Sequence, residues 1–456
     1  MQKIKSEVEI SNFRIKVLCC ASYYKIKDYR ILLHHEKTQS ELWYMLMTAE
    51  YLNSCDYIAA YLADCCKDSP GGSNHFVLEL ELSRPAELAW LTVHIRQRVG
   101  LLPHLTGQMH RKLFTLSPYW KWENGRKSRI EILQGSQEMA QDYINEPLRA
   151  ETYFGVLICG STLYFKFSHL IFDGVGAERF LQWVFSDAPP PSNPGLLTSS
   201  HLNEWKKQME CGRKFRELFL PENDNEVAAL CGKEDSETGL ISRTWEFSQI
   251  AAEAEKEAGP FMMIPFLVSE CVEALDPFLP KTGDVVVPVM VDQRGQEDQA
   301  ADSMLFNHWS LQPLLLPEPA RKVEKERIAA LKHSFFESSA QRAAYLFRHA
   351  AFPARFVPFR LMRYLEQKYG ARLGGTFLFS YMDNSVLEQQ YIGQSKVLNV
   401  RHYPVMPPRP GIGFVFTRFG NDLHLTVSYR KNILPNGELL ESNLETLFKH
   451  GVKDDI

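Results

Sequence analysis

The sequence lacks the long apolar segments that would place it in a membrane. Its first nine residues alternate charged and apolar side chains, without the apolar stretch of roughly 7 to 15 residues found in signal peptides. No later segment reaches the roughly 18 apolar residues that span a bilayer. Blocks of lysine and arginine are also missing, and the net charge is -4. These absences predict a cytoplasmic protein without a membrane span and without a nucleic-acid partner.

Motifs of several common enzyme classes are absent too. The chain has no G-x-G-x-x-G or G-x-x-x-x-G-K-S/T segment for nucleotides, no H-E-x-x-H zinc motif and no G-x-S-x-G nucleophile motif. Its nine cysteines form no C-x-x-C pair, which fits a reduced protein with free thiols. Histidines such as His104, His308 and His402 show no metal-ligand spacing. We therefore expect no metal and no bound redox cofactor.

Length and composition indicate the class of fold. With 456 residues, 45% hydrophobic and 23% charged, the chain can bury a large core and exceeds the size of one lobe. Strands and helices are mixed in both halves without regular alternation, which favours an α+β protein in two lobes. The predicted parts are residues 1–74, an N-terminal lead-in packed on the first lobe; 75–187, the first lobe; 188–239, a crossover linker; and 240–456, the second lobe.

One segment of the predicted first lobe carries residues suited to acid-base chemistry. A strand from Leu163 to Ser168 ends at His169, and a helix with one apolar face is predicted from Gly174. His169 and Asp173 therefore bracket a corner between strand and helix. A histidine held at such a corner can take a proton near neutral pH, since its ordinary pKa is about 6.5. A structural corner with a hydrogen-bonded histidine is the alternative interpretation.

The segment Phe167–Trp183, FSHLIFDGVGAERFLQW, closely resembles the active-site motif of the HxxxD thioester-dependent acyltransferases. This superfamily includes BAHD enzymes, chloramphenicol acetyltransferase and the condensation domains of peptide synthetases. Three further segments are similar to the family pattern: INEPLR at 144–149, DVVVPVMVDQR at 284–294, and Phe306-Asn307, where the family usually has Gly-Asn. The resemblance covers roughly residues 75 to 450, although only the His169 motif is specific.

This resemblance implies a fold and a set of roles for the motif. The fold would be that of chloramphenicol acetyltransferase, with two lobes, each a mixed sheet with helices, around a central channel. His169 would be the general base. Asp173, Gly174 and Arg294 would support the catalytic corner, with Arg294 as the ion-pair partner of Asp173.

Acyl transfer also needs a donor for the oxyanion, placed across the channel from the base. The segment Thr376–Tyr381 looks like the second-lobe strand that faces the histidine in this family. Ser380 is the best candidate, and a plain strand hydroxyl is an equal alternative for it. Tyr381 and Asn307 are the other candidates for the oxyanion site or the channel wall.

The resemblance further implies the substrates. No cofactor would be bound; the co-substrate would be an acyl-coenzyme A or an acyl-carrier protein with a phosphopantetheine arm, and the acceptor a small molecule. Ser168 replaces the first of two histidines usual in condensation domains, which favours a hydroxyl acceptor in specialised metabolism. The sequence lacks the D-F-G-W-G motif of plant BAHD enzymes, and this absence is an argument against that class. The alternatives are a stand-alone condensation-type enzyme that forms an amide, and a non-catalytic relative that binds carrier proteins. We expect a monomer.

Overall fold

The computed structural model describes residues 6–10, 13–17, 50–66, 74–110, 118–121, 129–149, 152–191, 205–219, 227–233, 236–294, 303–404, 409–435 and 437–447. Contacts divide the chain into two units, residues 1–49 and 50–456. The first unit contains the antiparallel pair β1 (Ser6–Ile10) and β2 (Phe13–Val17). Within the predicted lead-in, residues 18–49 and 67–73 lie outside the described part of the chain.

The strands and helices of the second unit are numbered in chain order. The strands are β3 (Glu50–Tyr51), β4 (His75–Leu82), β5 (Gln108–His110), β6 (Tyr119–Lys121), β7 (Ile130–Gln134), β8 (Phe154–Cys159), β9 (Thr162–Ser168), β10 (Thr238–Glu246), β11 (Val285–Asp292), β12 (Trp309–Leu316), β13 (Leu378–Met382), β14 (Tyr391–Ile392), β15 (Ser395–Tyr403), β16 (Ile412–Phe419) and β17 (Asp422–Arg430). The α-helices are α1 (Ser54–Cys66), α2 (Leu88–Val99), α3 (Glu138–Asn145), α4 (Gly174–Val184), α5 (Trp205–Phe219), α6 (Phe247–Glu257), α7 (Met263–Leu275), α8 (Glu324–Ala340), α9 (Ala343–Ala351), α10 (Phe359–Gly374) and α11 (Gly437–Leu447).

The first mixed sheet has the strand order β14-β15-β4-β9-β8-β7, in which only β7 and β8 run parallel. A cluster of buried aromatic rings covers the face of this sheet against α4. The ring of Phe172 lies 5.0 Å from the rings of both Phe167 and Phe180, measured between centroids. Full burial of one such side chain contributes about 1.5 to 3 kcal/mol. The cluster therefore anchors both ends of the predicted corner, β9 and α4.

The second mixed sheet has the strand order β10-β17-β16-β13-β11-β12, with β13 parallel to both of its neighbours. Alternate residues of its strands enter a second hydrophobic core, which includes Phe379, Phe414 and Val427. Helices α6, α7 and α8 contribute to the same core through Ile250, Phe266 and Ile328, among others. The three described strands β3, β6 and β5 form a smaller sheet. Two mixed sheets with separate cores confirm the predicted α+β fold in two lobes.

One strand does not follow the predicted division at residues 239/240. Although β15 comes from the C-terminal half, it pairs antiparallel with β4 and so completes the first sheet. No local pattern in the sequence indicates that residues 395–403 pair with a strand about 320 residues earlier in the chain. The boundaries of the four predicted parts stay predictions.

Two prolines interrupt the helices of the second half. Helices α9 and α10 are separated by a short 3-10 turn, Phe352–Phe356, which contains Pro353, and Pro358 immediately precedes α10. Proline in a helix interior removes a backbone donor and clashes with the preceding turn, so the chain must restart each helix. In the part of the chain that the structure describes, no helix is both long and apolar enough to cross a membrane.

Candidate active site

The corner between β9 and α4 is held by hydrogen bonds of the main chain around His169. The His169 N–H donates to the Asn74 carbonyl over 2.9 Å, and the Phe172 N–H donates to the Ser168 carbonyl over 3.0 Å. The His169 ring packs on Phe76, with 4.6 Å between ring centroids. The residue is partly accessible to solvent, whereas Phe172 is wholly buried. Main-chain hydrogen bonds and the Phe76 ring therefore hold a histidine that keeps some solvent exposure.

Asp173 ends the corner as the N-cap of α4. Its carboxylate accepts a hydrogen bond from the Gly176 N–H over 2.7 Å, and its carbonyl accepts one from the Ala177 N–H. A Cβ at Gly176 would lie 2.8 Å from Arg294 Nη2 and 3.0 Å from the Met304 carbonyl oxygen. The second glycine of D-G-V-G therefore allows the second-lobe segment to approach the helix closely.

Arg294 forms a buried ion pair with Asp173. Its Nη2 donates to both carboxylate oxygens, at 2.8 and 3.0 Å, and its Nε donates to the Ser303 carbonyl at 2.8 Å. The side chains are 1% and 6% exposed. Burial alone would raise the pKa of Asp173, but the Arg294 charge and its hydrogen bonds hold that pKa below the ordinary value. The pair therefore ties the motif corner to the predicted second lobe.

Asn307 contacts the corner from the same second-lobe loop. Its Nδ2 donates to the His169 carbonyl over 2.8 Å, and the neighbouring Phe306 N–H donates to the Ile171 carbonyl over 2.5 Å. Phe306 has a φ of 66°, in the left-handed region that favours glycine. The positive φ explains why glycine would suit position 306, where the family that this segment resembles usually has the glycine of a Gly-Asn pair. The buried Phe306 ring offsets a backbone strain of about 1 to 3 kcal/mol.

Asp56 is a residue of this site that sequence analysis missed. Its Oδ1 accepts hydrogen bonds from the Asn307 N–H at 2.8 Å and from Asn307 Nδ2 at 2.9 Å. It also forms a capping box with Asn53, since the Asp56 N–H donates to Asn53 Oδ1 at 2.7 Å and the Asn53 N–H donates to Asp56 Oδ2 at 3.4 Å. The N-x-x-D spacing could have predicted this cap, but not the contact with Asn307. Burial raises the pKa of Asp56 to about 7, against the effect of these amide donors.

We expect Asp56→Ala to lower the free energy of unfolding by about 3 kcal/mol, because it leaves the buried Asn307 N–H and one Nδ2–H without an acceptor and removes the bond from the Asn53 N–H. Asp56→Asn keeps a carbonyl oxygen and should lose less than about 1 kcal/mol. Urea unfolding measures both values. Asp64→Ala, on the same helix, is the control, since its partly exposed pair with Arg363 contributes at most about 1 kcal/mol. Equal losses in the two Asp56 variants would contradict the role of the Asn307 contact.

The surroundings of His169 favour its neutral form. Burial lowers the pKa of the imidazole, and this effect exceeds the opposing effects of the Asp173 charge, the Asn307 side chain and the Phe172 backbone. A histidine with a lowered pKa is neutral at pH 7 and can accept a proton. The arrangement is therefore compatible with a general base.

His308 makes stability near the corner depend on pH. Its main-chain N–H donates to Asp173 Oδ2 at 2.8 Å. Burial, aided by the Arg294 charge, lowers the pKa of the His308 ring to about 4. Between pH 6.5 and 4 the His308 ring is therefore protonated in the unfolded chain and neutral in the folded protein. Protonation stabilises the unfolded chain, so the free energy of unfolding falls as the pH falls. We expect His308→Gln to reduce the slope of unfolding free energy against pH by up to about 1.4 kcal/mol per unit in this window. Parallel slopes for the variant and the parent protein in urea titrations would contradict this assignment.

Ser380 lies on the strand face that is turned toward the motif corner. Successive residues of a strand point to opposite faces, so Ser380 shares its face with Met382, whereas Tyr381 packs against the second core. Met382 Sδ lies 3.6 Å from the position that a Cβ on Gly174 would take. The Tyr381 hydroxyl donates to Asp383 over 2.7 Å and so already has a partner. The oxyanion roles of these residues stay predictions, and Ser380 is the better placed of the two.

The structure thus brings most of the predicted site residues together. His169, Asp173, Gly174, Arg294 and Asn307 surround one corner, and Ser380 lies on the facing strand. Among the described residues, no group of three or more metal-ligating side chains could hold a metal ion.

No family model and no curated protein matches the sequence. Solved structures do match its fold. The condensation domain of the Monacolin K polyketide synthase MokA aligns with a TM-score of 0.63 at 12% identity, covering 88% of this chain and 97% of that chain. The starter condensation domain of rhizomide synthetase RzmA gives 0.64 at 13% identity, covering 91% and 98%. A wax ester synthase/diacylglycerol acyltransferase from Marinobacter aquaeolei VT8 gives 0.56 at 15% identity, covering 88% and 98%. The chain therefore has the two-lobed fold of condensation domains and related acyltransferases, which confirms the predicted resemblance at the level of fold.

Proposed function

We propose that the protein transfers an acyl group from a thioester to a hydroxyl group of a small molecule, with His169 as the general base. The observation that carries this proposal is the placement of His169. The residue is partly exposed and the pKa of its imidazole is lowered by burial, while its main chain is held by Asn74 and Asn307. The ion pair of Asp173 and Arg294 makes the corner rigid.

In the proposed reaction, the acceptor hydroxyl gives its proton to His169 as its oxygen attacks the thioester carbonyl carbon. A tetrahedral oxyanion forms, and the Ser380 hydroxyl is the candidate donor to it. When the intermediate collapses, the carbon–sulfur bond breaks and the departing thiolate takes the proton from the His169 imidazolium. The products are an ester and a free thiol, and His169 is again neutral.

Two similar folds support the choice of substrates. The starter condensation domain of rhizomide synthetase was solved in complex with C8-CoA and Leu-SNAC, so that protein binds a coenzyme A thioester in this fold. The wax ester synthase/diacylglycerol acyltransferase is named for ester formation. We therefore favour an acyl-coenzyme A donor and an alcohol acceptor, with an acyl-carrier protein as the other donor to test.

Amide formation is the second candidate function, because condensation domains are prominent among the similar folds. Both reactions need the same base, but they differ in the acceptor. Alcohols and amines of equal chain length therefore separate them in one assay.

The test is an incubation with acyl-coenzyme A esters of increasing chain length and with paired alcohols and amines. Chromatography should detect the coenzyme A product, since the exposed Cys231 would react with a thiol reagent. Intact-mass analysis of loaded carrier proteins covers the second donor class. We expect ester formation with at least one donor and alcohol. If neither donor class loses its acyl group to any acceptor, the non-catalytic alternative replaces this proposal.

A further inference from the structure

A second histidine lies beside the motif corner, on β15 of the first sheet. His402 Nε2 is 2.7 Å from Glu178 Oε1, and Glu178 belongs to the second turn of α4. The two side chains are 5% and 4% exposed. The pair thus joins the motif helix to the strand that crosses from the C-terminal half.

The surroundings of Glu178 determine which nitrogen of His402 carries the proton. Its Oε2 accepts hydrogen bonds from Ser385 Oγ at 2.8 Å and from the Val386 N–H at 2.9 Å. A carboxylate with these donors on one oxygen needs a donor on the other, so the ring nitrogen that faces it is Nε2–H. With Nε2 bonded to Glu178, Nδ1 is the ring nitrogen that remains for a further partner.

Nδ1 of His402 faces the first residue of α4. A Cβ at Gly174 would lie 3.6 Å from Nδ1, 3.7 Å from Cε1 and 3.6 Å from Met382 Sδ. Nδ1 forms no hydrogen bond with any residue that the structure describes. It is also not fully shielded from solvent. A ring nitrogen of a side chain that is 5% exposed thus lies beside Gly174 and Met382 without a partner among the described residues.

His402 is too far from His169 to bind the same hydroxyl. In the register of the sheet, His402 on β15 pairs with Leu78 on β4, and Leu78 pairs with Phe165 on β9. Phe165 comes four residues before His169. Two strand spacings and four residues along the strand separate the two backbones by roughly 15 Å. The two imidazoles therefore suit two different groups of one ligand.

We propose that His402, oriented by Glu178, binds a second hydrogen-bond donor of the acceptor substrate. The acceptor would be a molecule with a hydroxyl or amino group several bonds away from the hydroxyl that is acylated, such as a diol or an amino alcohol. This inference rests on the proposed function and names its substrate class. His402 serves as a binding residue and Glu178 as a positioning residue.

The first test compares alkane-1,n-diols of three to eight carbons with the monoalcohols of equal length, with C8-CoA as donor. We expect at least one diol to exceed its monoalcohol about tenfold or more in kcat/KM, and Glu178→Gln to reduce this ratio at least fivefold. In Glu178→Gln the amide carbonyl keeps the donors of Ser385 and Val386, so the amide NH2 faces Nε2 and moves the ring proton to Nδ1. His333→Phe is the control at an exposed histidine and should leave the ratio of diol to monoalcohol kcat/KM unchanged. Ester formation without any diol preference overturns the inference and leaves the proposed function in place.

The second test does not depend on turnover. Side-chain ¹⁵N spectra identify His402 as the resonance lost in His402→Gln, and we expect the Nε2–H tautomer in the parent protein and the Nδ1–H tautomer in Glu178→Gln. Hexane-1,6-diol should shift this resonance saturably, whereas hexan-1-ol should not. An Nδ1–H tautomer in the parent protein, or no shift with any of the diols, overturns the inference. A diol-induced shift without ester formation counts against the proposed function alone.

Discussion

Replacing His169 with alanine is expected to reduce acyl transfer by a factor of about 100 to 10,000 and to leave the protein folded. The rate falls because the acceptor hydroxyl loses the base that takes its proton. The fold persists because the hydrogen bonds of the corner use the His169 main chain, which alanine retains. Product formation from acyl-coenzyme A measures the first effect, and urea unfolding measures the second.

His169→Gln adds a second comparison, since glutamine can form hydrogen bonds but cannot accept the proton at neutral pH. It should be about as inactive as the alanine variant. His333→Ala is the matched control, because the His333 side chain is 81% exposed on α8. In the parent protein the rate should fall with pH only below about 6.5, since the pKa of His169 is lowered. An undiminished rate in His169→Ala would mean that another group takes the proton.

Replacing Arg294 with methionine is expected to lower the free energy of unfolding by about 3 to 5 kcal/mol. Removal of the guanidinium leaves the Asp173 carboxylate, 6% exposed, with only main-chain donors to balance its charge. The pKa of Asp173 should rise as a result, and the carbonyls of Ser303 and Phe306 should lose their hydrogen bonds from Arg294. Chemical unfolding measures the loss, and acyl transfer should fall with it because His169 is less firmly held.

The double variant with Asp173→Asn and Arg294→Met should recover part of this stability, because asparagine caps a helix without a charge. Lys431→Met is the control at an exposed pair, whose side chains are 52% and 71% exposed, and it should change stability by at most about 1 kcal/mol. A loss below about 1 kcal/mol in Arg294→Met would show that the buried pair contributes no more than an exposed one.

Much of the local structure could be predicted from the sequence. The strand to Ser168, the corner and the helix from Gly174 agree with β9 and α4, because hydrophobic periodicity changes sharply at this point. The helix breaks around Phe352–Phe356 have an equally local cause, since proline cannot continue a helix. The placement of Arg294 against Asp173 was implied only by family resemblance, since 121 residues separate the two.

The contacts that complete the site could not be predicted in this way. Asp56 and Asn307 are 251 residues apart, and Glu178 and His402 are 224 residues apart. Neither contact has a periodic pattern of its own. In the sequence, His402 is a histidine without metal-ligand spacing, and no nearby residue indicates its carboxylate partner.

By itself, the sequence determined the strand that ends at Ser168, the helix from Gly174 and the proline breaks near 353 and 358, and which corner carries a histidine suited to accept a proton. These features depend on neighbours within a few residues, through side-chain periodicity, capping and proline. The tertiary structure alone decided that β15 joins the first sheet, that Asp56 holds Asn307, and that His402 faces Gly174. Such contacts depend on how two hydrophobic cores pack segments that are distant in the chain, and no local pattern encodes that packing.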